Sequence, residues 1–200
     1  MQVVAMKQVG GSTASLYSVG DYVPLNFLLE QSIVNSDNTA VNILIKNLGY
    51  SNARHDITKY TDEVVPDDFY KNNITSAAYG YDVINYLYEH QDSYTKLIED
   101  MKKSSMGLYL KKYIKDYDVA HKYGSYSGYV HDYGIVFGKK TYLVGIFTKN
   151  ITDSDEVIAN ISLDILNYTL GILDVSTLAP QDKTNSQNSA TNTSENTTTE

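Results

Sequence analysis

The hydrophobic period of this chain changes once, near residue 116, and that change limits the folds open to it. Up to about residue 115 the apolar residues recur at helical spacing: Leu25, Leu28 and Leu29, then Val41, Leu44, Ile45 and Leu48, then Val83, Ile84, Leu87 and Tyr88, then Leu97, Ile98 and Met101. Beyond it, residues 129–137 and 141–148 are rich in aromatic and β-branched side chains, which suit a pleated, half-buried surface. Gly138-Lys139 between them reads as a tight hairpin, and residues 119–125 as a third strand. Ser154 or Asp155 then caps a last helix, with Val157, Ile158, Ile161, Ile165 and Tyr168 on one face. A helical block, an antiparallel sheet and a closing helix make a mixed α/β (α+β) fold.

Within the helical block, residues 1–20 are punctuated by Gly10-Gly11-Ser12-Thr13 and Gly20 and read as loop or short strand pieces. Asp21-Tyr22-Val23-Pro24-Leu25 opens a helix, with Pro tolerated in the first turn, that ends near Asn35. The next helix runs from about Asn38 to Leu48, with Gly49 at the stop position. Residues 50–74 read as a polar loop around the acidic pairs Asp62-Glu63 and Asp67-Asp68. Thr75-Ser76-Ala77-Ala78 offers a cap for the helix that follows. Met106, Leu108, Leu110 and Ile114 suggest one more short helix before the sheet. After Leu178-Ala179-Pro180 almost nothing apolar remains, so the Thr/Asn/Ser-rich tail, 179–200, is expected to stay disordered.

Composition removes several functions. A net charge of −8 argues against nucleic-acid binding, which needs basic surface. The single arginine, Arg54, argues against bidentate phosphate recognition. There is no cysteine, so neither a disulfide nor a thiolate metal site is expected. No apolar run approaches the ~20 residues of a membrane span. The N-terminus shows no basic stretch followed by an apolar one, so it does not read as a signal peptide.

The informative stretch is Ser32-Ile33-Val34-Asn35-Ser36-Asp37-Asn38-Thr39-Ala40, small polar residues between two apolar helical runs. Ser, Asp and Asn are what a helix start needs, because their oxygens accept the orphan N–H groups of a first turn. The wider string, residues 28–49, closely resembles the second signature, S-D-N, of the class A β-lactamase and penicillin-binding serine hydrolases, a superfamily carrying S-x-x-K, S-D-N and K-T-G. Val119-Ala120-His121-Lys122-Tyr123-Gly124-Ser125, continuing to Val136, resembles the third signature and the strand after it. The resemblance covers roughly residues 12–173, in family order. It implies a β-lactamase/DD-peptidase-like domain over 1–178, divided into a helical part (24–115) and a sheet with its C-terminal helix (116–173).

The resemblance also implies roles. Lys122 and Ser36 would be the catalytic pair, side by side, with the lysine charge drawing a substrate carboxylate and tuning a proton relay. Asn38 would hydrogen-bond the substrate amide. Gly124 would keep the strand edge open, and the Ser125 N–H would be one of two oxyanion donors, a contact worth about 3 kcal/mol of barrier. Tyr123 stands where the family has Thr or Ser, whose short hydroxyl helps hold the carboxylate, so substrate choice is expected to differ there. No S-x-x-K precedes Ser36. Ser93-Tyr94-Thr95-Lys96 fits the letters but follows Ser36, and reads as a coincidental helix start. The simplest expectation is a chain that begins after the first strands and the nucleophile helix. Nor do Glu63, Asp67 and Asp68 stand in the E-x-x-L-N setting of the family's deacylating Glu.

Four histidines, His55, His90, His121 and His131, lack ligand spacing, although His121 and His131 on neighbouring strands are expected to face each other. The expected function is a serine hydrolase acting on β-lactams or D-Ala-D-Ala peptides of peptidoglycan through an acyl-enzyme. No cofactor, metal or nucleic-acid partner is expected, and the full-length protein is expected in the cell envelope or outside the cell. The alternative is a catalytically inactive module that binds cell-wall peptide or a protein partner.

Overall fold

The computed structural model describes residues 11–49, 52–53, 56–64, 74–104 and 107–173. Helices come first: α1 (Ser12–Leu16), α2 (Leu25–Val34), α3 (Asn38–Leu48), α4 (Ala77–Glu89) and α5 (Thr95–Lys103). Strands β1 (Asp118–Tyr126), β2 (Tyr129–Phe137) and β3 (Thr141–Lys149) follow, and α6 (Ser154–Thr169) closes the order. The strands form one antiparallel sheet in the order β1-β2-β3, as the short turns between them require.

The sheet register decides which residues share a face. Val119 pairs with Val136 and Ala120 with Ile135, so neighbouring pairs point to opposite sides. On one side Ala120 and Ile135 pack with Ile84 and Leu87 of α4 and Ile98 and Met101 of α5. On the other, Val119 and Val136 pack with Leu110, Ile114 and, from α6, Ile158 and Leu166. Ile135 and Val136 are fully buried, and burial of such a side chain stabilises by about 2 kcal/mol, so the sheet is pinned from both faces. A third cluster, Val23, Leu28, Ala40 and Ile43, closes the corner between α2 and α3. Gly134 is where β1 comes closest: a Cβ there would stand 2.2 Å from the Ala120 carbonyl oxygen.

Local chemistry differs from the sequence expectation at five points. Residues 12–16 form a helical turn, because Gly11 at φ 99 turns the chain and Asp37 holds the Thr13 N–H at 2.8 Å. Before the sheet the described residues form a 3-10 turn, Tyr109–Lys111, rather than an α-helix, since Tyr109 is left-handed (φ 53) and the Leu110 N–H and C=O serve Asp132 and Ser162. Phe137 pairs with Thr141, so the β2–β3 turn holds Gly138, Lys139 and Lys140, three residues rather than two. Pro24 takes the cap position of α2 rather than its first turn. The cap position of α6 is Asp153, which makes no side-chain cap bond, while Asp155 and Glu156 place negative charge in the first turn. Ser76 does cap α4, accepting from the Tyr79 N–H. The tail 179–200 lies outside the described residues, as do Arg54, His55, Asp67, Asp68 and Met106.

Candidate functional site

The site begins at the corner between α2 and α3. Ser36 sits there at φ 50, a left-handed conformation that costs an L-residue about 1 kcal/mol. The chain reverses around it because Gln31 accepts both the Asn35 N–H (3.2 Å) and the Asp37 N–H (3.1 Å) on its carbonyl. Asp37 then fixes the start of α3: its carboxylate accepts the Thr39 N–H at 2.9 Å and the Ala40 N–H at 3.1 Å. The same carboxylate takes the Thr13 N–H from α1, so three N–H groups from two helices meet on one buried side chain. Burial pushes the Asp37 carboxyl up, but the hydrogen bonds from Thr13, Ala40 and Thr39 outweigh it and hold it below the usual carboxylate value. Gly11 makes room, since a Cβ there would lie 2.6 Å from the carboxylate carbon.

Lys122 reaches this corner from the sheet. It stands on β1, on the same face as Ala120, and that face looks toward the helices. Its Nζ donates to Ser36 Oγ, 86 positions away in the chain, and to the Tyr123 carbonyl at 2.8 Å. Burial pushes the Lys122 ammonium below the ordinary lysine range, against the opposing pull of the Asp132 carboxylate. A desolvated amine that holds its proton less tightly, in contact with a hydroxyl, is chemically a proton-relay pair.

The other residues named from the sequence lie around that contact. Asn38 is exposed on the first turn of α3. Gly124 and Ser125 are exposed on β1, whose outer edge carries no strand among the described residues, and nothing stands within 4 Å of a Cβ built on Gly124. Tyr123 is half-buried, its ring stacked on Tyr109 at 4.6 Å and 17°, and Lys122 Nζ lies 4.5 Å from the Tyr123 ring centroid. Burial, followed by the neighbouring Tyr123, Asp155 and Asp132, pushes the Tyr109 phenol above its ordinary value.

Sequence reasoning missed what lies beneath. His121 and Asp132 are both fully buried, with Nδ1 2.7 Å from Oδ2. His121 Nε2 lies 3.0 Å from the Ser104 carbonyl oxygen at the end of α5, and the Leu110 N–H donates to Asp132 Oδ2 at 3.1 Å. This pair ties β1, β2, α5 and the Tyr109 turn together, and Asp132 is the cross-strand partner of Tyr123. The findable signal was Ser127-Gly128, both at positive φ, a two-residue hairpin turn that pairs Tyr126 with Tyr129 and so His121 with Gly134. That register corrects one expectation. His121 and His131 do not face each other: His131 pairs with Gly124, points to the opposite face, and accepts the Thr148 N–H at 3.2 Å.

Several candidates stay apart from the corner. Lys96 is engaged by Asp100 at 2.5 Å and Glu30 at 3.3 Å, which leaves Ser93-Tyr94-Thr95-Lys96 as a helix start. Glu63 accepts the Ser76 hydroxyl at 3.1 Å beside α4. Among the described residues no group of three His, Cys, Asp or Glu converges as metal ligands, and no helix is long and apolar enough to cross a membrane. A small apolar cleft of about 130 Å³ opens between α4 and the β2–β3 face, lined by Gly80, Tyr81, Ile84, Tyr133 and Leu143 among others. It contains neither Ser36 nor Lys122. Tyr133 pairs with Lys122 in the sheet, so the cleft is a neighbour of the polar corner and not the corner itself.

Comparison with known proteins follows the same lines. The model of the Beta-lactamase enzyme family matches residues 1–169. Among solved structures, the beta-lactamase from Sphaerobacter thermophilus is 22% identical, with a TM-score of 0.70, over 87% of this chain and 74% of that one. The TLA-1 extended spectrum beta-lactamase is 19% identical, TM-score 0.68, over 82% and 71%. PBP-A is 20% identical, TM-score 0.67, over 82% and 68%. At these identities the likeness establishes the fold. No curated protein matches the chain by sequence.

Proposed function

This chain belongs to the Beta-lactamase enzyme family, and from that membership we propose that its α2–α3 corner and β1 edge form the substrate cleft of a serine hydrolase acting on β-lactams or D-Ala-D-Ala peptides through an acyl-enzyme, a chemistry for which no S-x-x-K before Ser36 supplies the nucleophile in this sequence. The observation that carries the proposal is the contact between Lys122 Nζ and Ser36 Oγ. In this reading Ser36 and Lys122 relay a proton, and burial, which lowers the proton affinity of the lysine, favours that exchange. Asn38, exposed two residues after Ser36, holds the acyl-side amide. The free edge of β1 accepts the backbone of the substrate, and the Ser125 N–H supplies an oxyanion contact. A PBP-A variant has been solved as an acyl-enzyme complex with penicillin-G, which is the chemistry proposed here. With such substrates, the proposed location of the full-length protein is the cell envelope or outside the cell.

A second reading has its own support. Tyr123 replaces a short hydroxyl, and no Ser and Lys stand one turn apart in contact on one helix among the described residues, which favours a binding module without turnover. Intact mass after incubation with benzylpenicillin separates the two. A covalent adduct, lost on Lys122→Met, supports the hydrolase. Saturable binding without an adduct supports the binding module. The absence of adduct and of binding, with benzylpenicillin and with the C-terminal amide of N-acetyl-D-Ala-D-Ala alike, refutes the cleft.

A further inference from the structure

We infer that the stacked pair Tyr109 and Tyr123 sets the specificity of this cleft against a free carboxylate, in favour of ligands that are neutral at the end beyond the scissile bond. The inference rests on the substrate class proposed above and narrows it to amidated or extended peptides and uncharged lactams. An ammonium has three N–H donors. On Lys122, Ser36 Oγ and the Tyr123 carbonyl take two, and the Tyr123 ring stands 4.5 Å away as the third neighbour. The charge that would attract a carboxylate is therefore already shared between two oxygens and a π face. Position 123 itself offers no short hydroxyl, because the phenol oxygen of Tyr123 sits at the far end of the ring.

The ring is not free to step aside. It lies flat on Tyr109, at 4.6 Å and 17°. Tyr109 belongs to a turn whose next residue, Leu110, is fully buried and anchored at both backbone groups: N–H to Asp132 at 3.1 Å, C=O from Ser162 Oγ at 2.9 Å. A carboxylate must displace the ring from both the lysine and its stacking partner. A neutral end needs neither displacement, and a planar apolar group gains contact with the aromatic pair.

The test titrates the full chain with N-acetyl-D-Ala-D-Ala and with its C-terminal amide, following the backbone amide NMR signals of Gly124 and Ser125. The wild-type chain is expected to bind the amide at least as tightly as the acid. Tyr123→Thr is expected to shift the acid-to-amide ratio about tenfold toward the acid, and Tyr123→Phe, which keeps the ring, to leave it unchanged. Tyr109→Asn tolerates the left-handed backbone, removes the stack, and is expected to move the ratio the same way as Tyr123→Thr. A wild-type chain that prefers the acid tenfold overturns the inference and leaves the proposed function standing, as does a ratio unmoved in both folded variants. Failure of every chain to bind either peptide overturns the proposed function, and the inference with it.

Discussion

Asp37 is the side chain on which the site's geometry turns, and its removal has a calculable cost. The carboxylate accepts from the Thr39, Ala40 and Thr13 N–H groups at 2.9, 3.1 and 2.8 Å. Asp37→Ala removes the cap of α3, about 1 kcal/mol. It also leaves the N–H of buried Thr13 without its acceptor, roughly 2 kcal/mol more. The sum, about 3 kcal/mol, lowers Tm by about 10 °C for a chain of this size. Asp37→Asn keeps one oxygen for the cap and is expected to cost about half as much. Acid gives a second reading of the same contact. The folded carboxyl lies below its ordinary 3.8, because the hydrogen bonds outweigh the burial that opposes them. Its stabilisation is therefore present above 3.8 and lost as pH falls through the lowered folded value. The Tm difference between the wild-type chain and Asp37→Asn, followed by circular dichroism, should shrink below pH 3.8. A loss under about 1 kcal/mol for Asp37→Ala, or a difference that grows in acid, refutes the reasoning.

Ser36→Gly relieves the left-handed backbone while Ser36→Ala keeps it, so chemical denaturation should find the glycine variant about 1 kcal/mol more stable than the alanine one. Gly134→Ala places a Cβ 2.2 Å from the Ala120 carbonyl and should destabilise by more than about 3 kcal/mol, read as loss of the cooperative melt or of soluble protein. His121→Leu removes a partner from a fully buried contact and should cost roughly 3 kcal/mol in the same assay. Lys122 holds its proton less tightly when folded, so the penalty it imposes is present at lower pH and relieved as pH rises from its depressed value to 10.5. Lys122→Met should flatten the rise of stability with pH in that window, and an unchanged slope there counts against the desolvated amine.

What was legible in the chain, and what was not, follows from the range of the interactions. Asp37 in Ser36-Asp37-Asn38 announces a helix start by chemistry within three residues, and α3 begins where that chemistry says. The aromatic and β-branched runs give the strands for the same reason. Tyr109 carries no such mark. Its left-handed backbone is imposed by Asp132 and Ser162, which claim the groups of Leu110 from 22 and 52 positions away. The His121–Asp132 pair was hidden by register. A slip of one residue would turn Asp132 to the other face, and the register depends on the Ser127-Gly128 turn, an exposed dipeptide with no hydrophobic signature. The two kinds of residue divide the site between them. The groups that resemble a known signature, Ser36, Asn38, Lys122 and Gly124, lie at the α2–α3 corner and on β1. Asp132, whose carboxylate opposes the effect of burial on Lys122, and Tyr109, which stacks on Tyr123, arrive through long-range contacts. A variant that alters only the former set tests whether the chemistry exists, and one that alters Tyr109 or Tyr123 tests which ligand it serves.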